Sequence, residues 1–241
     1  RSRLPQRFGL GIEGDYVIGA QVELENRDVE EVEVYTGERF APGFFGWAVP
    51  TYPGQAMVGV LCRYDVRLHL QALLDHLQGL DKVGSAVPRF TFGAIPLTPA
   101  KYTVASRVMV IGDAAGQVKP TTGGGIRYAL LGADLAAPIL SDALDSDDLS
   151  METLSAYDQS WRHHLAAELR MALIARNLYE GLNDRRLEAA FAILRNSQRL
   201  ASNLALAFQD HFDWHSPMVV HTLARLQPWW GILGWGKNLM N

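Results

Sequence analysis

The stretch 112-GDAAGQVKPTTGGGI-126 joins a carboxylate, a proline and three successive glycines within fifteen residues. Asp113 follows the apolar run 108-VMVIG-112, which places a carboxylate at a strand end where it can accept hydrogen bonds from sugar or polyol hydroxyls. Pro120 stiffens the loop. Gly123, Gly124 and Gly125 lead into a helix, so unobstructed N–H groups and the positive end of the helix dipole converge on one spot. A planar ring with electron-rich carbonyls, or an anion formed on it during reduction, is stabilised there. Small residues follow at three-to-four-residue spacing, Gly125, Ala129, Gly132 or Ala133, and Ala136, a stripe along which the helix backbone can approach another element closely. By glycine content alone the same letters also fit a tight strand-to-helix connection that binds nothing.

The elements that must position these residues follow from periodicity. In 15-DYVIGAQVELEN-26 the even positions Tyr16, Ile18, Ala20, Val22 and Leu24 are apolar between polar neighbours, a half-buried strand. Further strands are expected over 29–35, 44–50, 55–62 and 89–96, separated by Pro and Gly punctuation. A helix over 65–80 places Leu68, Leu73, Leu77 and Leu80 near helical spacing. The continuously apolar 108-VMVIG-112 reads as a short strand buried on both faces. Helices follow. One over 151–180 aligns Leu154, Tyr157, Trp161, Leu165, Leu169 and Leu173; one over 186–195 aligns Leu187, Phe191 and Leu194. The acidic 141-SDALDSDDLS-150 reads as a solvated loop, with Ser150 as the N-cap of the next helix. The fold class expected is α+β: a mostly antiparallel sheet with one helix over 1–107, a strand–turn–helix over 108–145, and a helical region over 146–241.

Composition bounds the function. A chain of 241 residues with 48% hydrophobic and 20% charged residues has enough apolar material for one large core or two modest ones. A net charge of -4 and a pI near 6.0 supply no basic field, which argues against a nucleic-acid partner. Cys62 is the single cysteine, so no internal disulfide is possible; it lies in an apolar strand, and a reducing compartment is expected. No apolar run reaches the roughly 18 residues of a membrane span, so a cytoplasmic protein is expected. The tail 228-PWWGILGWGKNLMN-241 holds three of the six tryptophans, suited to peripheral membrane contact or to packing under the helices. His211 and His215 have the spacing of a metal pair, with His221 beyond, but no partner set accompanies them and no metal is expected.

The whole of Val108–Ala137 resembles the second flavin-binding motif of flavoproteins built like p-hydroxybenzoate hydroxylase, where a strand ends in Gly-Asp-Ala and a later Pro and Gly-Gly-Gly-Ile open a helix. In that superfamily the aspartate holds the ribityl or pyrophosphate region of FAD, and the loop and helix start cover the pyrimidine edge of the isoalloxazine. The resemblance implies a cofactor-binding set of Gly112, Asp113, Ala114, Pro120, Gly123, Gly124, Gly125 and Ile126. The segment 42-PGFFGWAVPTYPGQAMVGV-60 is similar to the geranylgeranyl reductase family, whose substrate domain carries an aromatic, any, Trp, any, aromatic, Pro motif. Here it reads 45-FGWAVP-50, with Phe45 where tyrosine is usual, Val49 where phenylalanine is usual, and Trp47 and Pro50 retained. Phe45, Trp47 and Pro50 are the substrate-binding residues implied. The segment 94-AIPLTPAKYTVASRVMVIGDAAG-116 also resembles that family, and the likeness spans about residues 8 to 180.

The resemblance implies part of an α/β flavoprotein: an FAD-dependent oxidoreductase of lipid biosynthesis that reduces carbon–carbon double bonds of isoprenoid chains, drawing electrons from a donor such as NADPH or ferredoxin. It identifies no catalytic residue. FAD-dependent monooxygenases and halogenases of the same superfamily share the flavin turn and remain an alternative, as does a module that binds an apolar substrate but not FAD. Enzymes of this build hold the pyrophosphate through an N-terminal Gly-x-Gly-x-x-Gly turn in a parallel sheet. The sequence is expected to lack such a turn, and 1-RSRLPQRFGLG-11 reads as the middle of something. The chain is therefore expected to be the C-terminal part of a longer protein, to bind FAD weakly or not at all by itself, and to leave 108–112 at an unpaired edge.

Overall fold

Alternating side chains build the strands largely where period-2 patterning predicts them. The computed structural model describes residues 4–85, 90–210 and 214. After a single turn, α1 (Leu4–Arg7), come β1 (Tyr16–Glu25), β2 (Glu33–Gly37), β3 (Ala41–Pro50) and β4 (Gln55–Cys62), then α2 (Val66–Gly79) and β5 (Thr91–Pro96). A short hairpin of β6 (Val104–Ala105) and β7 (Val108–Met109) precedes α3 (Ile126–Asp145), α4 (Met151–Glu180), α5 (Asp184–Asn196) and α6 (Gln198–Asp210). The α+β class holds. The chain divides into two compact units: a sheet unit of Val17–Ala94 with Leu178–Ala192, and a helix unit of the chain up to Tyr16, Ile95–Asn177 and the stretch from Ile193.

In the sheet unit the strand order is β2-β3-β4-β1-β5. β1 and β4 pair antiparallel from Ile18↔Cys62 to Glu25↔Gln55, and β3 pairs with β4 from Gly46↔Val60 to Pro50↔Ala56. The α2 residues Leu70, Leu73, Leu74 and Leu77 bury against Ala20, Val22, Leu24, Ala48, Val58 and Val60. Each such leucine contributes roughly 1.5–3 kcal/mol by leaving water. Three expectations need correction. Leu68 and Leu80 are exposed, because the buried stripe of α2 runs through 70, 73, 74 and 77 instead. Ile18 is exposed while Val17 is buried, Ile18 sitting at the last registered pair of its ladder. The second strand begins at Glu33, not 29: the Asn26 side chain accepts the Val29 N–H at 2.8 Å and donates to the Val29 carbonyl at 2.9 Å, closing 26–29 as a turn.

In the helix unit, Tyr128, Ala136 and Ala143 of α3 pack against Leu154, Tyr157, Trp161, Leu165 and Leu169 of α4. The α4 helix has the bounds that periodicity predicts, and the Ser150 Oγ accepts the Thr153 N–H at 3.3 Å as an N-cap. The acidic stretch is not wholly a loop. Ala143 is buried in the core, and its packing carries α3 on to Asp145. Phe191 is 52% exposed, although it stands one turn along α5 from the buried Leu187.

The strand expected over 108–112 is also corrected. Only Val108 and Met109 are paired as a strand, with Val104 and Ala105 on one side, and among the described residues the two-stranded hairpin leaves the other side of β7 without a strand partner. Gly112–Ala115 forms a 3-10 turn instead. The letters Gly9-Leu10-Gly11-Ile12-Glu13-Gly14 do have Gly-x-Gly-x-x-Gly spacing, which the sequence reading passed over. They follow the single turn of α1 and run into β1 with no helix after them, so they are not the strand–turn–helix that holds a pyrophosphate.

Candidate functional site

The glycine turn is built around Gly112, whose φ of +68° only glycine adopts without strain. Gln117 grips this residue at both ends: its Oε1 accepts the Gly112 N–H at 2.8 Å and its own N–H donates to the Gly112 carbonyl at 3.1 Å. The Gln117 Nε2 donates to the Tyr157 hydroxyl at 2.8 Å, and that hydroxyl donates to the Val110 carbonyl at 3.2 Å. Gln117 and Tyr157 are both fully buried. Burial pushes the Tyr157 phenol up to about 12, so it keeps its proton, and its donor role, at neutral pH.

This turn presents Asp113 to solvent beside the start of α3. A Cβ on Gly125 would collide with the Asp113 carboxylate, so the bare glycine lets the two lie against each other. The helix begins at Gly125 with no side-chain cap. Its first amides therefore have no acceptor within the helix, and they share one small patch with a carboxylate. The expected close approach is present: a Cβ on Gly132 would stand 2.6 Å from the Gln117 amide oxygen and 2.9 Å from Ile111. Between them, Gly123 N–H to Lys119 O (2.8 Å) and Lys119 N–H to Gly124 O (3.0 Å) close the loop, with Pro120 buried inside it. Gly112, Asp113 and Gly125 thus come together, Ala114 is half-buried, and Ile126 is 82% exposed.

A second network holds the approach to the turn. Asp158 accepts from the Thr103 N–H (3.2 Å) and hydroxyl (2.6 Å), and Trp161 Nε1 donates to the Thr103 hydroxyl oxygen at 2.9 Å. Arg162 donates to Asp158 and to the carbonyls of Ala100 and Lys101. Burial resists ionisation of Asp158, but the Arg162 and Thr103 bonds outweigh it and hold the carboxyl below the usual range. Sequence reasoning missed Gln117, Thr103 and Asp158. A signal for Gln117 was present: a polar residue in a stretch otherwise set for burial.

In the sheet unit, Phe45, Trp47 and Val49 alternate with buried Phe44, Gly46 and Ala48, so they share the face of β3 turned away from α2. Trp47 stands opposite Gly59 in register, and a Cβ on Gly59 would collide with the indole. Phe45 and Trp47 rings lie 6.0 Å apart, and Pro50 ends the strand. A polar cavity of about 350 Å³ lies elsewhere in this unit, lined by Glu38, His69 and the Arg63–Glu180 ion pair among others. Its charged walls do not suit a hydrocarbon chain.

Among the described residues no helix is long and apolar enough to cross a membrane. The histidines at 211, 215 and 221 and the tryptophan-rich tail lie outside the described residues.

Known proteins resemble this chain along most of its length. It is 34% identical over 172 residues to digeranylgeranylglycerophospholipid reductase 2 of Methanothermobacter thermautotrophicus, covering 70% of this chain and 45% of that protein. The crystal structure of a geranylgeranyl bacteriochlorophyll reductase-like protein from Thermoplasma acidophilum superposes with a TM-score of 0.64 at 23% identity, covering 72% of this chain and 45% of that one. The flavin-dependent brominase Bmp2 superposes with a TM-score of 0.59 at 14% identity over 93% of this chain and 60% of that one. Both structural likenesses establish a shared fold. The chain spans about half the length of the curated relatives it matches. The model of the lycopene cyclase protein family matches residues 45–212, well over half of the sequence, and this chain belongs to that family.

Proposed function

We propose that this chain carries the flavin-ring and substrate portions of an FAD-dependent oxidoreductase that reduces carbon–carbon double bonds of isoprenoid chains in lipid biosynthesis. The observation that carries the reading is the placing of Asp113 against Gly125 at the uncapped start of α3. The patch fits the group: one carboxylate to accept ribityl hydroxyls, and the first amides of α3, which have no acceptor within the helix, to face an electron-rich ring edge. When bound, FAD supplies the hydride. Gly112, Asp113 and Ala114 would hold the ribityl side, and Pro120, Gly123, Gly124, Gly125 and Ile126 the ring. The amides at the start of α3 would favour negative charge at the edge of a bound ring.

Phe45, Trp47 and Pro50 supply an apolar strip for the hydrocarbon chain, where each methylene removed from water contributes about 0.8 kcal/mol. The names of the curated relatives support an isoprenoid lipid as substrate. In this reading 1–107 is the substrate domain, 108–145 the flavin motif and 146–241 a helical region. A redox partner such as NADPH or ferredoxin delivers the electrons, and the protein works in the cytoplasm with peripheral access to lipid.

The test is anaerobic. The flavin-loaded protein is reduced, oxygen is excluded, and a geranylgeranyl lipid is added. Reoxidation of the flavin, with a gain of two hydrogens per reduced bond in the lipid, is the expected result. Reoxidation that waits for oxygen and yields a hydroxylated or halogenated product would establish the monooxygenase or halogenase alternative instead.

A further inference from the structure

The geometry points to Gln117, held by Tyr157, as the residue that positions Asp113 for the flavin, an inference that rests on the flavin reading of the turn. Asp113 is exposed, and where its carboxylate stands depends on the backbone that carries it. On one side stands Gly112, whose N–H and C=O are both bound by Gln117. Four residues on, Gly116 N–H donates to the Asp113 carbonyl at 3.1 Å. The bonds made by Gln117 therefore close the loop that carries the carboxylate.

The orientation of the Gln117 amide is fully specified. Its oxygen faces a backbone N–H, and its nitrogen faces a phenol whose own proton goes to the Val110 carbonyl. Reversing the amide would set N–H against N–H. The same side chain fills the space beside Gly132, so α3 reaches its place along the turn only with Gln117 lying between them. Position, polarity and volume are thus all used. A hydrocarbon of equal length would satisfy the volume and lose the grip on Gly112, leaving a buried N–H without its acceptor.

The experiment titrates riboflavin, which carries the ring and ribityl chain, into the full chain and into Asp113→Asn, Gln117→Met, Gln117→Glu, Tyr157→Phe and the double variant Asp113→Asn/Gln117→Met. Binding is read by quenching of flavin fluorescence, and folding by circular dichroism. Gln117→Met and Tyr157→Phe are expected to weaken binding about tenfold, as Asp113→Asn does. Gln117→Glu keeps an acceptor for the Gly112 N–H but removes the donor to Tyr157 and buries a carboxylate, so it is expected to weaken binding at least as much as Gln117→Met. Because Gln117 acts through Asp113, the double variant is expected to bind no worse than either single variant. Losses that multiply in the double variant, or parental binding by Gln117→Met and Tyr157→Phe, would overturn the positioning role while leaving the flavin reading intact. Binding by the parent is expected to be weak; riboflavin that binds but ignores Asp113→Asn would sink the flavin reading and the inference with it. Should Gln117→Met not fold, Tyr157→Phe, which removes a single oxygen, carries the same comparison.

Discussion

Trp47 and Gly59 stand opposite each other on β3 and β4, and the indole fills the volume that any side chain at position 59 would need. Gly59→Ala must push the ring aside or open the sheet. Overpacking of this kind costs about 1–3 kcal/mol. The thermal midpoint is expected to fall by several degrees, and binding of an isoprenoid to weaken with it. An unchanged midpoint would show that the indole is free to move.

Asp113→Asn separates binding from stability. The carboxylate is exposed, so the variant is expected to melt with the parent. Hydrogen bonds to a charged acceptor contribute roughly 1.5–3 kcal/mol, so flavin affinity is expected to drop by about tenfold or more. Fluorescence titration beside a melting curve checks both halves.

Asp158 gives the helix unit an acid-sensitive joint. Its carboxyl is held below the usual range in the folded chain, so the stability it contributes is present above the unfolded value near about 3.9 and is lost as pH falls through the folded value. Asp158→Asn is expected to lower stability at neutral pH and to flatten its fall in acid. Urea melts between about pH 3 and 7 read this directly; an unaltered pH slope would assign the acid loss to other groups.

Ser150→Ala removes the hydroxyl that caps α4. The expected cost is about 1 kcal/mol, read as a lower urea midpoint with an unchanged slope.

The parts legible in the sequence are those whose cause is local. The bounds of α4 and the strand at 55–62 follow from side-chain period, and Ser150 stands one residue before its helix. Asp113 and Gly125 belong to one short motif, so their meeting could be read from thirteen residues of chain. The run 108–112 misled because apolar letters alone specify burial, not extension; Gln117 turns the backbone at Gly112 before a strand can continue. Likewise the start of β2 depended on one Asn26 side chain rather than on the β-forming residues after it. The need for glycine at 59 appears only once β3 and β4 are paired.

The grip of α4 on the turn has a consequence for how the protein assembles. Gln117 meets Tyr157 across 40 residues, Thr103 meets Asp158 across 55, and Arg162 meets Ala100 across 62. Contacts at such separations form late, after the loop-closure entropy has been met. During synthesis, the glycine turn leaves the ribosome well before the helix that clamps it. A chain halted after Asp145 would own every residue of the motif and lack its shape, so competence for flavin arrives with α4 and not with the motif itself.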